Sequence, residues 1–595
     1  MPNHDSDKNF APVYVEKLTV RNFRGIGECV LDLEPGLTII VGRNNAGKSR
    51  LLRALAIVLG ATGATRDDLT IDSLEEATID VVIAPRVKTG EESVFSLQVG
   101  QRLSLLVQSI SEDPIVERVA WRAIIKPSRE GMGVRTDYAA LIFDQNSGTW
   151  ESLGNPRSLT GRERSIVAAD LVETRRDLAD EFTRRNSPIS RILDDLEIVS
   201  GDRQDLSDEL RILGEKIMQS SGSLAALKES LSVLAGSIDE IGYPELHALP
   251  TRLEELARSV SISLNSGLGD YPLRLHGSGA RSLASIQVQS VLYDRRLGRD
   301  GPTLLPHPVS LIEEPEVHLH PQAQFELHEL LNSMRGQVVT SSHSAHLVSV
   351  AEPSALRVLQ TSPAGAKVVD FKPGKVGDSH RHRALNPQLH LDEMEKIRRL
   401  IERPFGELIF ASAIVIGDGA TERALLPPLI RKALKGRSHG ICVVDPGSME
   451  GDYATAVVKF ACLIGVPWFL FSDSDTAGKG AVKRIMEQYA SDGQGHVIWV
   501  PDESSEYEKG AATEKMLVDF DRELCERACE PLGYKGNGDV QTFMQRKKGV
   551  VGRLVALELA KAGTYLVGQE SDGSQPWPRA ICQLIDMLDA VLPKR

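Results

Sequence analysis

The sequence of 595 residues holds only six cysteines, Cys29, Cys442, Cys462, Cys525, Cys529 and Cys582, and none of them forms a CxxC pair. That scarcity excludes a disulfide-stapled scaffold and offers no zinc-site spacing, so the six read as reduced structural thiols. No apolar run reaches the roughly 18 residues of a membrane-spanning helix, and the opening segment MPNHDSDKNF is polar with no apolar h-region. The expectation is a soluble, cytoplasmic protein without a membrane partner. No repeat at a period of about 20 to 50 residues is evident, and Gly and Pro, at 50 and 30 residues, are ordinary, which excludes solenoid, collagen-like and wholly disordered classes. Basic charge is in deficit, 69 Lys+Arg against 82 Asp+Glu for a net charge of -13. This argues against nonspecific coating of nucleic acid but leaves a local basic path open.

With 41% hydrophobic residues, a chain of this length predicts two to four domains, each with its own core. Residues 12–42 read as short strands (VYVEKLTVRNF, ECVLDL, GLTIIVG), and IDVVIA, SVFSLQVG, WRAIIK and AALIFD continue strand-like character to about residue 150. Residues 161–263 change texture, with dense charge and apolar residues at three-and-four spacing, and predict a helical insertion able to form a bundle or a dimer seam. Strands return at VSLIEEPEV and QVVTSSHS, a loop-rich boundary is expected over 362–404, and a second α/β pattern follows.

GRNNAGKS, Gly42–Ser49, follows an apolar strand and opens a helix, the context in which GxxxxGK[ST] binds nucleoside phosphates. Loop N–H groups around Gly42, Asn44, Asn45 and Gly47 would cradle the phosphates together with the helix N-terminus. Lys48 would place a point charge at the β- and γ-phosphates, and the Ser49 hydroxyl would ligate Mg²⁺. The apolar strand of VSLIEEPE ends in Glu313, suited to hold that Mg²⁺ through water, and Glu314, suited to polarise an attacking water. TSSHS ends another strand with His343, placed to sense the γ-phosphate, and between them LHGSGARSLASIQV is a Gly/Ser-rich turn that can present N–H groups to a phosphate. In this order the strand, GRNNAGKS, the GSG turn, IEEPEVHLHP and the switch His resemble the ABC-type ATPases of the SMC/RecF-like kind. The resemblance implies ATP sandwiched in a head-to-head homodimer, with Ser278 and Gly279 acting in trans. It also gives His318 and His320 a structural role near the dimer interface rather than a metal.

A second constellation lies towards the C-terminus. Strand AIVIG runs into DGATE, with Asp418 in the turn and Glu422 on the first helical turn, and strand PWFLF ends in SDSD, with Asp473 and Asp475 pointing to one side. Carboxylates converging at adjacent strand ends repel one another unless cations compensate them, and hard oxygen donors favour Mg²⁺ or Mn²⁺. Two such ions could stabilise both the attacking and the leaving oxygen of a cleaved phosphodiester. IGDGATE and FSDSDTAG resemble the Toprim catalytic domain, with the departure that Asp418 stands where the family normally has Glu. The same resemblance implies Glu506 in SSEYEKG as a further metal-binding acid, with Glu508 as its alternative. It implies Lys548 in RKKGVV, or its neighbour Lys547, as a basic catalytic residue stabilising the charged transition state.

An SMC-like ATPase before a Toprim domain resembles the overcoming lysogenization defect (OLD) family of ATP-dependent nucleases across essentially the whole chain, including its Gabija-type nuclease subunit. The implied fold is α/β: an ABC/SMC-like P-loop ATPase domain over 1–160 and 264–385, interrupted by a helical, dimerising insertion over 161–263. A connecting helix over 386–405 and a Rossmann-like Toprim nuclease domain over 406–595 follow. The resemblance implies an ATP-regulated, metal-dependent DNA endonuclease or nickase in antiphage defence or DNA processing, acting as a homodimer or higher homo-oligomer and paired in some members with a UvrD-like helicase. No module remains for the nucleophilic Tyr of a topoisomerase or the template of a primase. The alternative is an ATP-gated DNA clamp or sensor with a degenerate Toprim domain.

Overall fold

The computed structural model describes residues 13–70, 75–86, 92–127, 133–152, 157–173, 200–220, 263–265, 270–272, 279–287, 290, 306–362, 365–371, 406–449, 451–474, 476–490, 494–500, 512–567 and 575–592. Its contacts divide into two compact units, one of residues 1–25, 32–38 and 49–342, the other of 26–31, 39–48 and 343–595.

In chain order the first elements are β1 (Val13–Phe23), β2 (Ile26–Asp32), β3 (Leu37–Gly42), α1 (Lys48–Val58), β4 (Ala77–Pro85), α2 (Leu97–Leu103), β5 (Gln108–Glu112), β6 (Ile115–Pro127) and β7 (Val134–Ala140). They are followed by β8 (Ile142–Asp144), β9 (Thr149–Glu151), α3 (Gly161–Arg164), β10 (Val167–Glu173), α4 (Ser200–Ser220), β11 (Ser263–Asn265), β12 (Asp270–Pro272), β13 (His307–Glu313), α5 (Pro321–Ser333) and β14 (Gln337–Ser342). In the first unit β1, β4, β6 and β7 pair antiparallel in that order, and β10, β13 and β14 pair in parallel. Alternation along β1 buries Val13, Val15, Leu18, Val20 and Phe23 while polar residues face outwards, the signature of a sheet with one covered face. Gln337 of β14 ties this sheet to the parallel strands, because its amide accepts from Val15 N at 3.0 Å and donates to Val15 O and Glu34 O, both at 2.8 Å.

Two expectations need correction here. SVFSLQVG is not a strand: α2 begins inside it, and Phe95, Val99 and Leu103, four apart, are the residues buried. The helical insertion does not begin at residue 161 either, since β10 joins β13 in parallel from Val167↔His307 to Glu173↔Glu313. A short apolar run cannot be separated from a buried helical turn by periodicity alone, so IVAADLVE falls inside the range expected to be helical. Of the expected insertion, α4 is helical as anticipated, whereas residues 174–199 and 221–262 lie outside the described residues.

The second unit continues with α6 (Ala345–Val350), β15 (Leu356–Ser362), β16 (Gly365–Asp370), β17 (Ala413–Gly417), α7 (Ala420–Leu434), β18 (Ile441–Val444), α8 (Asp452–Leu463), β19 (Trp468–Asp473), α9 (Thr476–Tyr489) and β20 (Gly495–Val500). The helices α10 (Thr513–Phe520), α11 (Arg522–Cys529), α12 (Val540–Arg546), α13 (Lys548–Ala562) and α14 (Arg579–Val591) end it. β15 pairs in parallel with Ile39–Gly42 of β3 and antiparallel with β16, so the expected loop-rich stretch opens with a hairpin. The expected linker, 386–405, lies outside the described residues. The C-terminal sheet has the order β18-β17-β19-β20, all parallel. Its core joins Val415, Phe469 and Phe471 to Leu425, Leu429, Val555, Ile581 and Ile585 of the surrounding helices. At about 1.5–3 kcal/mol for each large apolar side chain removed from water, this burial is what holds helices on the sheet. All six cysteines are free thiols, and burial pushes Cys525 up to about 12.

Candidate functional site

β3 is buried along its whole length and delivers the chain into the Gly-rich loop. A Cβ on Gly42 would stand 2.6 Å from Leu359 O of β15, so only glycine allows this close pairing. The loop turns through Asn45 at φ 63° and Gly47 at φ 107°, both left-handed, before α1 starts at Lys48 with no acidic residue in its first turn. That combination is a left-handed Gly-rich turn running directly into a helix N-terminus, the order of elements in which backbone N–H groups cradle anions. Lys48 is only 4% exposed; its ammonium donates to Gly42 O at 2.9 Å and Arg43 O at 3.0 Å and lies 3.4 Å from His343 Nδ1. Lys48 and the expected γ-phosphate sensor are therefore neighbours. Asn44, Asn45 and Ser49 are exposed.

In the first unit β13 is buried up to Glu313, which is half-buried at the strand's end. Glu314 adopts a left-handed φ of 44° and donates its N–H to Ser341 O at 3.1 Å, so the turn after β13 is pinned to the end of β14. Gly279 begins a helical stretch over 279–287, where a Cβ would come within 2.7 Å of His318 O. Ser278 lies outside the described residues. His320 caps α5, its Nδ1 accepting from Gln322 N at 3.3 Å.

The acidic constellation forms where β17 and β19 end side by side, with Gly417 opposite Phe471. Asp418 accepts from Asp473 N at 3.1 Å, from Ser472 Oγ at 3.4 Å and from Met449 N at 3.4 Å, which lashes the first acid to the neighbouring strand. Glu422, 4% exposed, folds back over the end of β17, and a Cβ on Gly417 would stand 2.5 Å from the Glu422 Cβ. Asp473 accepts from Thr513 N at 3.1 Å, and Glu514, 3% exposed, accepts from Thr421 Oγ1 at 2.6 Å. Burial pushes the Asp473 carboxyl up to about 8, with the charges of Glu422, Asp418 and Glu514 adding to it against the Thr513 hydrogen bond. Burial likewise pushes Glu422 up to about 7, reinforced by Glu514 and Asp418 and opposed by Thr513. Near neutral pH this cluster retains protons that ordinary carboxylates have lost. Among the described residues no three acids already stand in a metal-binding arrangement. The donor set nevertheless suits a hard divalent cation, which would relieve the repulsion that raises both groups.

A model of the AAA ATPase domain matches residues 14–87 and 116–348, more than half of the chain. A model described as the TOPRIM domain of overcoming lysogenization defect-like proteins matches residues 409–475. The chain belongs to the AAA ATPase domain family and carries an OLD-type TOPRIM domain. It is similar to the OLD nuclease of Thermus scotoductus, 24% identical over 477 residues, which covers 78% of this chain and 82% of that relative. It is also similar to the DNA replication and repair protein RecF of Deinococcus deserti, 25% identical over 351 residues, covering 56% of this chain and 91% of the relative. Among solved structures, the Smc head domain of Pyrococcus furiosus bound to the C-terminal domain of ScpA matches 60% of this chain and 96% of that one at 14% identity, with a TM-score of 0.34.

Within this OLD-type TOPRIM domain, Asp418, Glu422 and Asp473 are neighbours, while Asp475, Glu506 and Glu508 lie outside the described residues. Lys548 is the first residue of α13, and it is exposed. A Cβ on Gly552 of this helix would reach 2.6 Å from Thr421 O, so the glycines of α13 bring its N-terminal end against the start of α7, beside the acids. Lys547 instead lies over the Phe543 ring at 5.9 Å. Glu514 was missed. Its only signal is an acid in the first turn of TEKMLVDF, and acids are common there because they favour the helix dipole.

Proposed function

We propose that the chain is an ATP-regulated, divalent-metal-dependent DNA endonuclease or nickase of the OLD family. The reading is carried by the convergence of Asp418, Glu422, Asp473 and Glu514 at parallel strand ends, two of them holding protons near neutral pH. Asp418, Glu422 and Asp473 are the proposed ligands of Mg²⁺ or Mn²⁺, with Asp475 and Glu506 completing a two-ion set. When bound, such ions neutralise phosphodiester charge and make water a better nucleophile. The chain's own groups do the rest. Asp418 is oriented by three donors, Glu422 can take up or release a proton close to neutral pH, and Lys548 offers positive charge to the transition state.

In the ATPase segment, Gly42, Asn44, Asn45 and Gly47 are proposed to hold the phosphates, with Lys48 exchanging its carbonyl partners for phosphate oxygens. Ser49 and Glu313 are the proposed Mg²⁺ residues of the nucleotide, Glu314 polarises the attacking water, and His343 reads the γ-phosphate from beside Lys48. Ser278 and Gly279 of a second copy complete the site in a homodimer. Antiphage defence and a UvrD-like helicase partner extend the same resemblance.

The clamp or sensor reading is favoured by one observation: Asp418 is shorter than the family's Glu and is engaged with Asp473 N and Ser472 Oγ, a strand-tying role. Cleavage of supercoiled and linear plasmid with Mg²⁺ or Mn²⁺, with and without ATP, separates the two. Cutting by the wild type that disappears in Asp473→Asn supports the nuclease. DNA binding without cutting under any of these conditions supports the clamp.

A further inference from the structure

In a chain of net charge -13, one cavity of about 850 Å³ is lined by four basic side chains, Arg423, Arg431, Lys432 and Arg553, against a single acid, Asp445. It lies between α7 and α13 and starts at the nuclease end of both helices, with Ala420 two residues beyond Asp418 and Gly549 next to Lys548. Arg423, Pro427 and Arg431 recur every four residues along α7, as Gly549, Arg553 and Leu557 do along α13, so two facing stripes form its walls. Ala420, Ala424 and Gly549 are the small residues of the lining, and Pro427 and Pro428 each withdraw an N–H from the helix ladder. Asp445 is already engaged, accepting from Gly447 N at 2.8 Å. Lys432 donates to Ala560 O and so bridges the two helices. Among the described residues neither Arg431 nor Arg553 has a carboxylate partner, although both are exposed.

We infer that this groove holds the phosphate backbone of one DNA strand as it leaves the acidic cluster, with Arg431 and Arg553 as the principal phosphate contacts. The inference rests on the nuclease reading above and adds the path of its substrate. From Arg423 to Arg431 the helix advances roughly 12 Å at about 1.5 Å per residue, which matches about three phosphates at roughly 3.4 Å of axis per nucleotide. Cations spread along two facing helices suit a linear polyanion better than a compact one, because a small anion would engage one end of the groove only. The apolar Leu557 and Pro427 beside them give a base or sugar edge a surface to rest on.

The test is fluorescence anisotropy of a labelled single-stranded oligonucleotide with the full chain in EDTA, at several salt concentrations. Metal-dependent plasmid cutting is measured separately. Replacing both arginines (Arg431→Gln with Arg553→Gln) is expected to raise Kd about tenfold and to flatten the salt slope by roughly 1.4, about 0.7 for each lost phosphate contact. Arg431→Lys with Arg553→Lys keeps the charges and should restore most of the slope. Lys483→Gln with Arg527→Gln, exposed cations elsewhere in the domain, should leave both quantities unchanged. An unaltered Kd and slope in the double Gln variant of a protein that binds and cuts DNA overturns the groove and leaves the nuclease standing. No DNA binding or cutting by the wild type overturns both.

Discussion

At Gly42 a fully buried strand passes into a loop that ends in a buried cation, Lys48; at Gly417 an equally buried strand passes into a turn whose charged groups, Asp418 and Glu422, are anions. Both junctions need glycine because a Cβ would collide, with Leu359 O at 2.6 Å in one and with the Glu422 side chain at 2.5 Å in the other. The difference lies in how the charge is compensated. Lys48 has two backbone carbonyls within hydrogen-bond distance, so the cation is satisfied by its own loop. The carboxylates have a few N–H and hydroxyl donors but also one another, and Asp473 and Glu422 are pushed up to about 8 and 7. One strand end is self-sufficient before its ligand arrives, whereas the other stores repulsion that a cation relieves.

The largest expected effect comes from removing the repulsion itself. Asp473→Asn should lower plasmid cutting by about 10²- to 10³-fold, the range found when a preorganised charge-stabilising group is lost, while raising the metal-free Tm by a few degrees. A variant that cuts normally would remove Asp473 from the chemistry. Lys48→Ala should weaken nucleotide binding by about 100-fold, equivalent to roughly 3 kcal/mol for a charge-assisted contact. Nucleotide titrations followed by thermal shift measure this, and the stabilisation by Mn²⁺ should persist, because the second strand end does not depend on the first.

The pH response distinguishes the two ends next. Asp473 and Glu422 are raised from ordinary values of 3.8 and 4.5 to about 8 and 7, so the stability they contribute is present in full below the ordinary values and is lost as pH rises through the folded ones. Metal-free Tm should therefore fall between about pH 5 and pH 8, and Mg²⁺ or Mn²⁺ should raise Tm more at pH 8.5 than at pH 6, where protons compete for the same oxygens. Equal metal shifts at both values would show that these carboxyls are not the ligands. The smallest effects are steric and local. Gly417→Ala should cost about 1–3 kcal/mol through overpacking against Glu422. Thr421→Val should cost about 1–3 kcal/mol by leaving the buried Glu514 oxygen without its donor. Urea unfolding measures both.

Local pattern made much of this protein legible. VYVEKLTVRNF reads as a strand and is β1 residue for residue, and the apolar strands before Gly42, Glu313, Asp418 and Asp473 all lead to the side chains assigned from them. What escaped was non-local. IVAADLVE is a strand because β13 offers a parallel partner, which nothing in its own eight residues reveals. Val99 and Leu103 anchor a helix in what looked like alternation, because a four-residue spacing across a Ser/Gly-rich stretch is weak evidence until one face has a core to meet.

By itself the sequence determined where the Gly-rich turn and the strand-end acids would be placed, because a Gly-rich turn after a buried strand, or an acid at its end, is specified within a dozen residues. It did not determine the neighbours those groups would have. Tertiary packing decided that Lys48 meets His343, that Thr513 and Glu514 close over Asp473, and that α13 lies against α7 through Gly552. The charged groups of the TOPRIM domain are shifted by burial and by one another, and both terms exist only when segments distant in the chain are folded to within a few ångströms.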